Sequence, residues 1–176
     1  GRAGAALDAD DEIGIDVRLR QGRRNAGDDG ELLHHALRSA LTSQISPASA
    51  QRNWLEAQLS GSDRFWKLVF FHHPVYSSAR GDFTHRAYLE PLFNEYKGDL
   101  VFQGHHHYYE RTFPITAGTA VDKAQEPNYV DPQGTIYVVT GGGGGTLATA
   151  SPNGLSARYK STYHHLALKV DEDVLS

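Results

Sequence analysis

Val101 to Pro114 reads VFQGHHHYYERTFP, and the rest of the chain is best read outward from it. A short apolar run, a glycine, three consecutive histidines and a charged, aromatic tail follow one another. Adjacent histidines point in different directions, whereas His105 and His107 are two apart. In extended or tightly turned backbone an i, i+2 pair projects to one side, so both rings can reach one metal centre. Gly104 permits the turn that swings the alternate rings inward. A second source of histidine lies upstream, in Leu68 to Ser78, LVFFHHPVYSS. There His72 follows Val69-Phe70-Phe71, and Pro74 forces the chain out of the sheet. Sites in open α/β sheets gather at the carboxyl ends of strands. Taken singly, each stretch also fits loop or surface histidines bonded to backbone. Together they predict a metal site of His72, His105 and His107, with His73 and His106 facing away or supporting the ligands from behind.

Composition sets the bounds. A chain of 176 residues accommodates one ordinary domain with a real core. Nothing approaches the run of roughly 20 apolar residues that spans a bilayer. A formal charge of −4 argues against broad nucleic-acid binding, which shows as a strongly basic balance. There is no cysteine, so a transition metal has only nitrogen and oxygen to hold it. Methionine is absent even at position 1, so a processed product or a piece of a longer chain is expected.

Residues 1 to about 30 are rich in Gly, Ala, Asp and Arg, and only Glu12–Arg20 (EIGIDVRLR) alternates like a strand. The stretch that follows, QGRRNAGDDG, is a polar loop by composition. Glu31–Leu41 reads as a helix with Leu33, Leu37, Ala40 and Leu41 on one side and His34 and His35 on its surface. A second helix is expected from about Ala48 to Leu59, burying Trp54, Leu55 and Leu59 and stopping at Gly61. Phe65–Phe71 (FWKLVFF) is apolar enough for a strand covered on both faces, with Trp66 a core anchor. A third helix spans Thr84–Tyr96 with Thr84 as N-cap and Pro91 as a kink or a sign of a late start. Asp99–Gln103, Gly134–Thr140 and Tyr163–Val170 complete the strands, with one of His164 and His165 facing the core. The five glycines Gly141–Gly145 lack a following Gly-Lys-Ser/Thr and read as a turn, not a phosphate loop. The order is that of an α/β protein with later hairpins.

Two of these motifs carry a resemblance. Val69-Phe70-Phe71-His72 resembles the VxxH motif, and Gly104-His105-His106-His107 the GHxH motif, of calcineurin-like metallophosphoesterases. The extension to Tyr109-Glu110-Arg111 is similar to the GHxHxYER of the purple acid phosphatase branch. Gln51–Leu59 (QRNWLEAQL), Pro74–Ser77 (PVYS) and Gly134–Gly143 (GTIYVVTGGG) agree in order and spacing. The resemblance covers roughly Pro47 to Val170. It implies the C-terminal half of an α/β/β/α sandwich that hydrolyses phosphate esters at a dinuclear centre. His72 and His105 would hold one ion and His107 would help hold the other, the metals being iron with zinc, manganese or iron. An outer histidine contacts the substrate in this family. His85 is the nearest candidate, its other reading being a surface residue at a helix start.

The departure is as informative. The family's first three motifs, DxG or DxH, GDxx and GNH, belong upstream, and residues 1–47 carry no such series: Gly27-Asp28-Asp29-Gly30 matches only the overlapping letters of DxG and GDxx, and no GNH occurs. Asn25–Asp29 lacks the histidine, and Asp8, Asp10, Asp11 and Asp16 sit in no matching context. The segment 1–47 is therefore read as atypical, loop-rich or non-native, through a frame error, an alternative start or a divergent insertion. Residues 48–176 are read as the C-terminal part of the domain. The expected partners are a phosphate ester and a separate N-terminal half, with no nucleic acid and no membrane. The resemblance also carries an expectation of secretion or a periplasmic location. The competing function is a non-catalytic remnant of the fold that binds a metal or a partner.

Overall fold

The computed structural model describes residues 18–20, 32–36, 46–79, 83–171 and 173–176. Numbered along the chain, its strands are β1 (Arg18–Arg20), β2 (Leu32–Ala36), β3 (Trp66–Phe71), β4 (Leu100–Gln103), β5 (Tyr109–Thr112), β6 (Ile115–Thr116), β7 (Thr119–Ala120), β8 (Asn128–Val130), β9 (Ile136–Thr140), β10 (Ser156–Lys160), β11 (Val170–Asp171) and β12 (Val174–Leu175). The helices are α1 (Ala50–Ser60) and α2 (Arg86–Tyr96). A six-stranded sheet runs β10-β5-β9-β4-β3-β2, and a smaller one β11-β12-β1-β8. Within the large sheet β2, β3, β4 and β9 are parallel, while β5 and β10 are antiparallel additions.

β3 is the hydrophobic spine expected of Phe65–Phe71. Its inner residues divide by alternation between two cores. Val69 and Phe71 meet Leu55 and Leu59 of α1 and Leu89, Leu92 and Phe93 of α2. Trp66 and Leu68 meet Leu100, Phe102, Ile136 and Val138, together with Tyr129 and Leu175 from the small sheet. Helices thus cover one face of the large sheet and the small sheet covers the other, a partial α/β metallophosphoesterase-like sandwich. Each fully buried leucine here is worth about 1.5–3 kcal/mol of transfer free energy. Among the described residues no helix is long and apolar enough to cross a membrane.

The helices follow their signals. Ser49 caps α1 by accepting from the Arg52 N–H at 3.2 Å, and Gly61 ends it. α2 starts later than Thr84, with His85 at the cap position and Pro91 accommodated inside. Trp54 corrects the expected core: it is 42% exposed, because the inward face of α1 is set by Leu55 and Leu59, four apart. Phe70, likewise 38% exposed, leaves β3 only partly covered on that face.

Elsewhere strand pairing departs from the sequence reading. Leu32–Ala36, read as helix, is strand β2, paired in parallel with Trp66–Phe70; an open sheet edge outweighed local helical spacing. Tyr109–Thr112 and Ser156–Lys160, too polar to read as strands, pair with each other. Residues 163–169 keep the predicted alternation, with His164 buried and His165 exposed, but form no ladder. Leu166, Leu168 and Val170 simply lie along the second core. The remainder of the Glu12–Arg20 strand, the QGRRNAGDDG loop, Leu37–Leu41 and Asp8, Asp10, Asp11 and Asp16 fall outside the described residues.

Candidate metal centre

β3, β4 and β9 are parallel neighbours, so the loops leaving Phe71, Gln103 and Thr140 emerge at one end of the sheet. These loops carry His72 and His73, His105 to His107, and Gly141 to Gly145. The first two are joined by backbone, the Gly104 N–H donating to the His72 carbonyl at 3.0 Å. A Cβ at Gly104 would stand 3.3 Å from Nδ1 of His72, so glycine leaves that ring its room. His105 has φ of 64°, a left-handed conformation that histidine adopts more readily than most side chains. The result brings Nε2 of His72 to 3.3 Å from Nδ1 of His105.

His73 joins them. One ring nitrogen from each of His72, His73 and His105 lies within 4.8 Å of the other two. Of the two expectations for His73, facing away or supporting the ligands from behind, the first does not hold. β3 stops at Phe71, and strand alternation stops with it, so the next two side chains share a side. The carbonyl of His73 accepts from Nε2 of His85 at 3.2 Å. His85 itself is 1% exposed, so its reading as a surface residue at a helix start does not hold; it lies behind the His73 loop.

His107 stands apart from that trio. Its Nδ1 is 2.8 Å from the Thr146 carbonyl oxygen. A carbonyl only accepts, so Nδ1 carries the proton and Nε2 keeps its lone pair. His106 turns into the protein, with Nδ1 2.6 Å from the Ser77 hydroxyl and its ring stacked on Tyr108. Burial, then the charges of His105 and His107, holds the His72 imidazole below the ordinary histidine range. Burial followed by His105, His72 and His85 does the same for His73. For His106, burial and His105 outweigh the opposing pull of Glu110. These rings are biased toward the neutral form, which binds metals.

The model of the calcineurin-like phosphoesterase family matches residues 16–109, more than half of the chain. The chain belongs to the calcineurin-like phosphoesterase family. Purple acid phosphatases are among its relatives. Fe(3+)-Zn(2+) purple acid phosphatase 12 of Arabidopsis thaliana is 38% identical over 104 residues, which are 53% of this chain and 22% of that protein. Probable inactive purple acid phosphatase 1 of the same plant is 38% identical over 115 residues, 57% of this chain and 18% of that protein. The solved purple acid phosphatase PPD1 from yellow lupin seeds superposes with a TM-score of 0.63 at 32% identity, over 74% of this chain and 24% of its own. The chain thus spans about a fifth to a quarter of the length of these relatives.

Behind these histidines lies a polar scaffold that the sequence did not reveal. Gln103, 1% exposed, accepts from the Val75 N–H and donates to the Tyr76 carbonyl at 3.4 Å, fixing the loop after His73. Glu110 is 2% exposed and accepts from the Ser78 N–H at 2.8 Å, the Ser78 hydroxyl and the Ser156 hydroxyl at 2.6 Å. These side chains hold the two histidine loops in mutual register. The Tyr-Glu-Arg tripeptide hinted at Glu110 and the Pro74–Ser77 stretch at Ser77, while nothing marked Gln103.

Proposed function

We propose that this chain is the C-terminal portion of a purple-acid-phosphatase-like enzyme hydrolysing phosphate monoesters, or diesters, at a two-metal centre. The observation that carries the reading is the 3.3 Å approach of His72 to His105 at adjacent strand ends in a chain of this family. In this reading His72 and His105 hold one ion and His107 helps hold the second. The ions are iron with zinc, manganese or iron, a choice supported by the relative named for Fe(3+) and Zn(2+). Bound there, such ions neutralise phosphate charge and acidify water to supply the nucleophile. The chain's own residues prepare the place. The Thr146 carbonyl fixes the His107 tautomer and leaves the Nε2 lone pair for an ion. The Gly104 to His72 bond holds the two loops together; His85 stays the candidate outer histidine, which reaches a substrate only if its bond to the His73 carbonyl is given up.

Three imidazoles divided between two ions do not close a dinuclear site. The remaining ligands therefore come from an aspartate- and GNH-type series that residues 1–47 do not carry, and residues 48–176, together with the strands β1 and β2 before them, belong to the C-terminal part of the domain. The chain alone is expected to show little or no hydrolysis of a generic aryl phosphate with added iron, zinc or manganese. Robust turnover would refute the half-site reading. The lack of those motifs also favours a second reading, a non-catalytic remnant that binds metal or a partner. Coding sequence upstream of Gly1, or a co-purifying N-terminal chain, separates the two: the motifs are present in the first case and missing in the second.

A further inference from the structure

We propose that His72, His73 and His105 form a single-ion site of their own, selective for a divalent transition metal such as zinc, which needs no ligand from outside this chain. The proposal shares His72 and His105 with the reading above and rests on it to that extent. What it adds is His73, and with it a site that this portion of the domain completes by itself.

Geometry carries the argument. Around zinc, with nitrogen at about 2.0–2.1 Å, two ligands of a tetrahedron stand about 3.3 Å apart. His72 Nε2 and His105 Nδ1 are already at 3.3 Å. The third nitrogen, from His73, lies within 4.8 Å of both, so a side-chain rotation closes the triangle. The ring planes cross at 87° for His72 and His73, 80° for His72 and His105, and 43° for His73 and His105. Parallel stacked rings send their lone pairs along parallel lines; crossed rings can aim theirs at one point. The backbone beneath is already held, by Gly104 N–H to the His72 carbonyl at 3.0 Å and by His85 to the His73 carbonyl at 3.2 Å. That second bond uses the carbonyl of His73 and leaves its ring free to serve the ion.

The chemistry of the donor set fixes the class of ligand. Three neutral imidazoles suit zinc, copper, iron or nickel, and give calcium and magnesium nothing they prefer. Three protein ligands with an exposed mouth leave a fourth position for water, the pattern of an open zinc site. His72 and His105 are exposed and His73 is partly buried, so an ion enters directly from solvent.

The test is a zinc titration of the whole chain in competition with a chromophoric chelator. One tight equivalent is expected. His73→Ala should weaken it by more than the roughly 10–100-fold that loss of a supporting contact costs a metal site, as should His72→Ala and His105→Ala. His165→Ala, at an exposed position, should leave it unchanged. X-ray absorption of the zinc-loaded wild-type chain should count three imidazoles, a readout independent of how any variant folds. If His73→Ala binds zinc like the wild type while His72→Ala and His105→Ala do not, the three-imidazole site is wrong and the paired ligands of the proposed function survive. If none of the three substitutions matters, both fail. A count of two imidazoles overturns the proposal regardless of the titration.

Discussion

A histidine offers a metal only the nitrogen that its other hydrogen bond leaves bare. For His107 the Thr146 carbonyl at 2.8 Å settles which one that is. Long-range proton–nitrogen correlation on the metal-free chain should therefore find His107 protonated at Nδ1; protonation at Nε2 would contradict the geometry. The same spectra followed against pH test the electrostatics of the cluster. His72 and His73 should titrate below the ordinary value of about 6.5, since burial and then neighbouring imidazoles oppose their charging. His105→Ala should bring them only part of the way back, because burial is the larger cause. Midpoints at or above the ordinary value would show that the rings are more solvated than the structure has them. That His72 and His105 come together was legible in sequence as apolar run, histidine, and glycine, histidine. That the His73 ring lies beside them was not, because its direction depends on where β3 ends, and strand ends are set by the partner strand and not by local spacing.

Among the elements, the loop Gly141–Gly145 looks featureless in sequence and is sharply differentiated in space. A side chain at Gly141 would strike the His106 carbonyl, at Gly142 the His164 ring, and at Gly145 the His107 ring, each well inside van der Waals contact. At Gly143 it would meet nothing within 4 Å. The loop is a strap laid against three histidines, tied down by His164 N–H to the Gly142 carbonyl at 3.2 Å and Ala148 N–H to the His107 carbonyl at 3.0 Å. Gly145→Ala should displace the His107 ring and abolish its protection at Nδ1, while Gly143→Ala should change stability by no more than about 0.5 kcal/mol. Gly141→Ala, blocked by backbone that cannot swing aside, should cost about 1–3 kcal/mol in thermal or denaturant unfolding. Equal effects at Gly143 and Gly145 would sink the strap description. The two helices and the buried strands β3, β4 and β9 were readable because hydrophobic pattern and burial coincide in them. β2, β5 and β10 were not, since pairing and a buried ion pair make strands of residues whose local pattern is helical or polar.

Over the described residues, the large and small sheets are linked through a charged cluster at Glu126, which Arg158 on β10 also approaches at 3.4 Å. Arg111 on β5 is fully buried and holds both carboxylate oxygens of Glu126, at 2.7 and 3.1 Å. Tyr129 on β8 donates its hydroxyl to the same carboxylate at 2.6 Å. Burial alone would raise the Glu126 carboxyl, but the hydrogen bonds from Arg111 and Tyr129 and the charges of Arg111 and Arg158 outweigh it and hold it below the usual carboxylate range. A carboxylate whose affinity for protons falls on folding contributes stability that is fully present above its unfolded value, about 4.3. That contribution disappears as pH drops through the lower, folded value. Glu126→Ala at neutral pH leaves a buried guanidinium without its partner and should cost about 3 kcal/mol or more. Glu126→Gln isolates the charge: its deficit in unfolding free energy relative to the wild type should be steady near neutrality and shrink as the solution is acidified below about pH 4. A deficit that stays constant down to pH 3 would mean that the link acts by shape alone, and that the small sheet is held to the large one by the Tyr129 and Leu175 packing without help from charge.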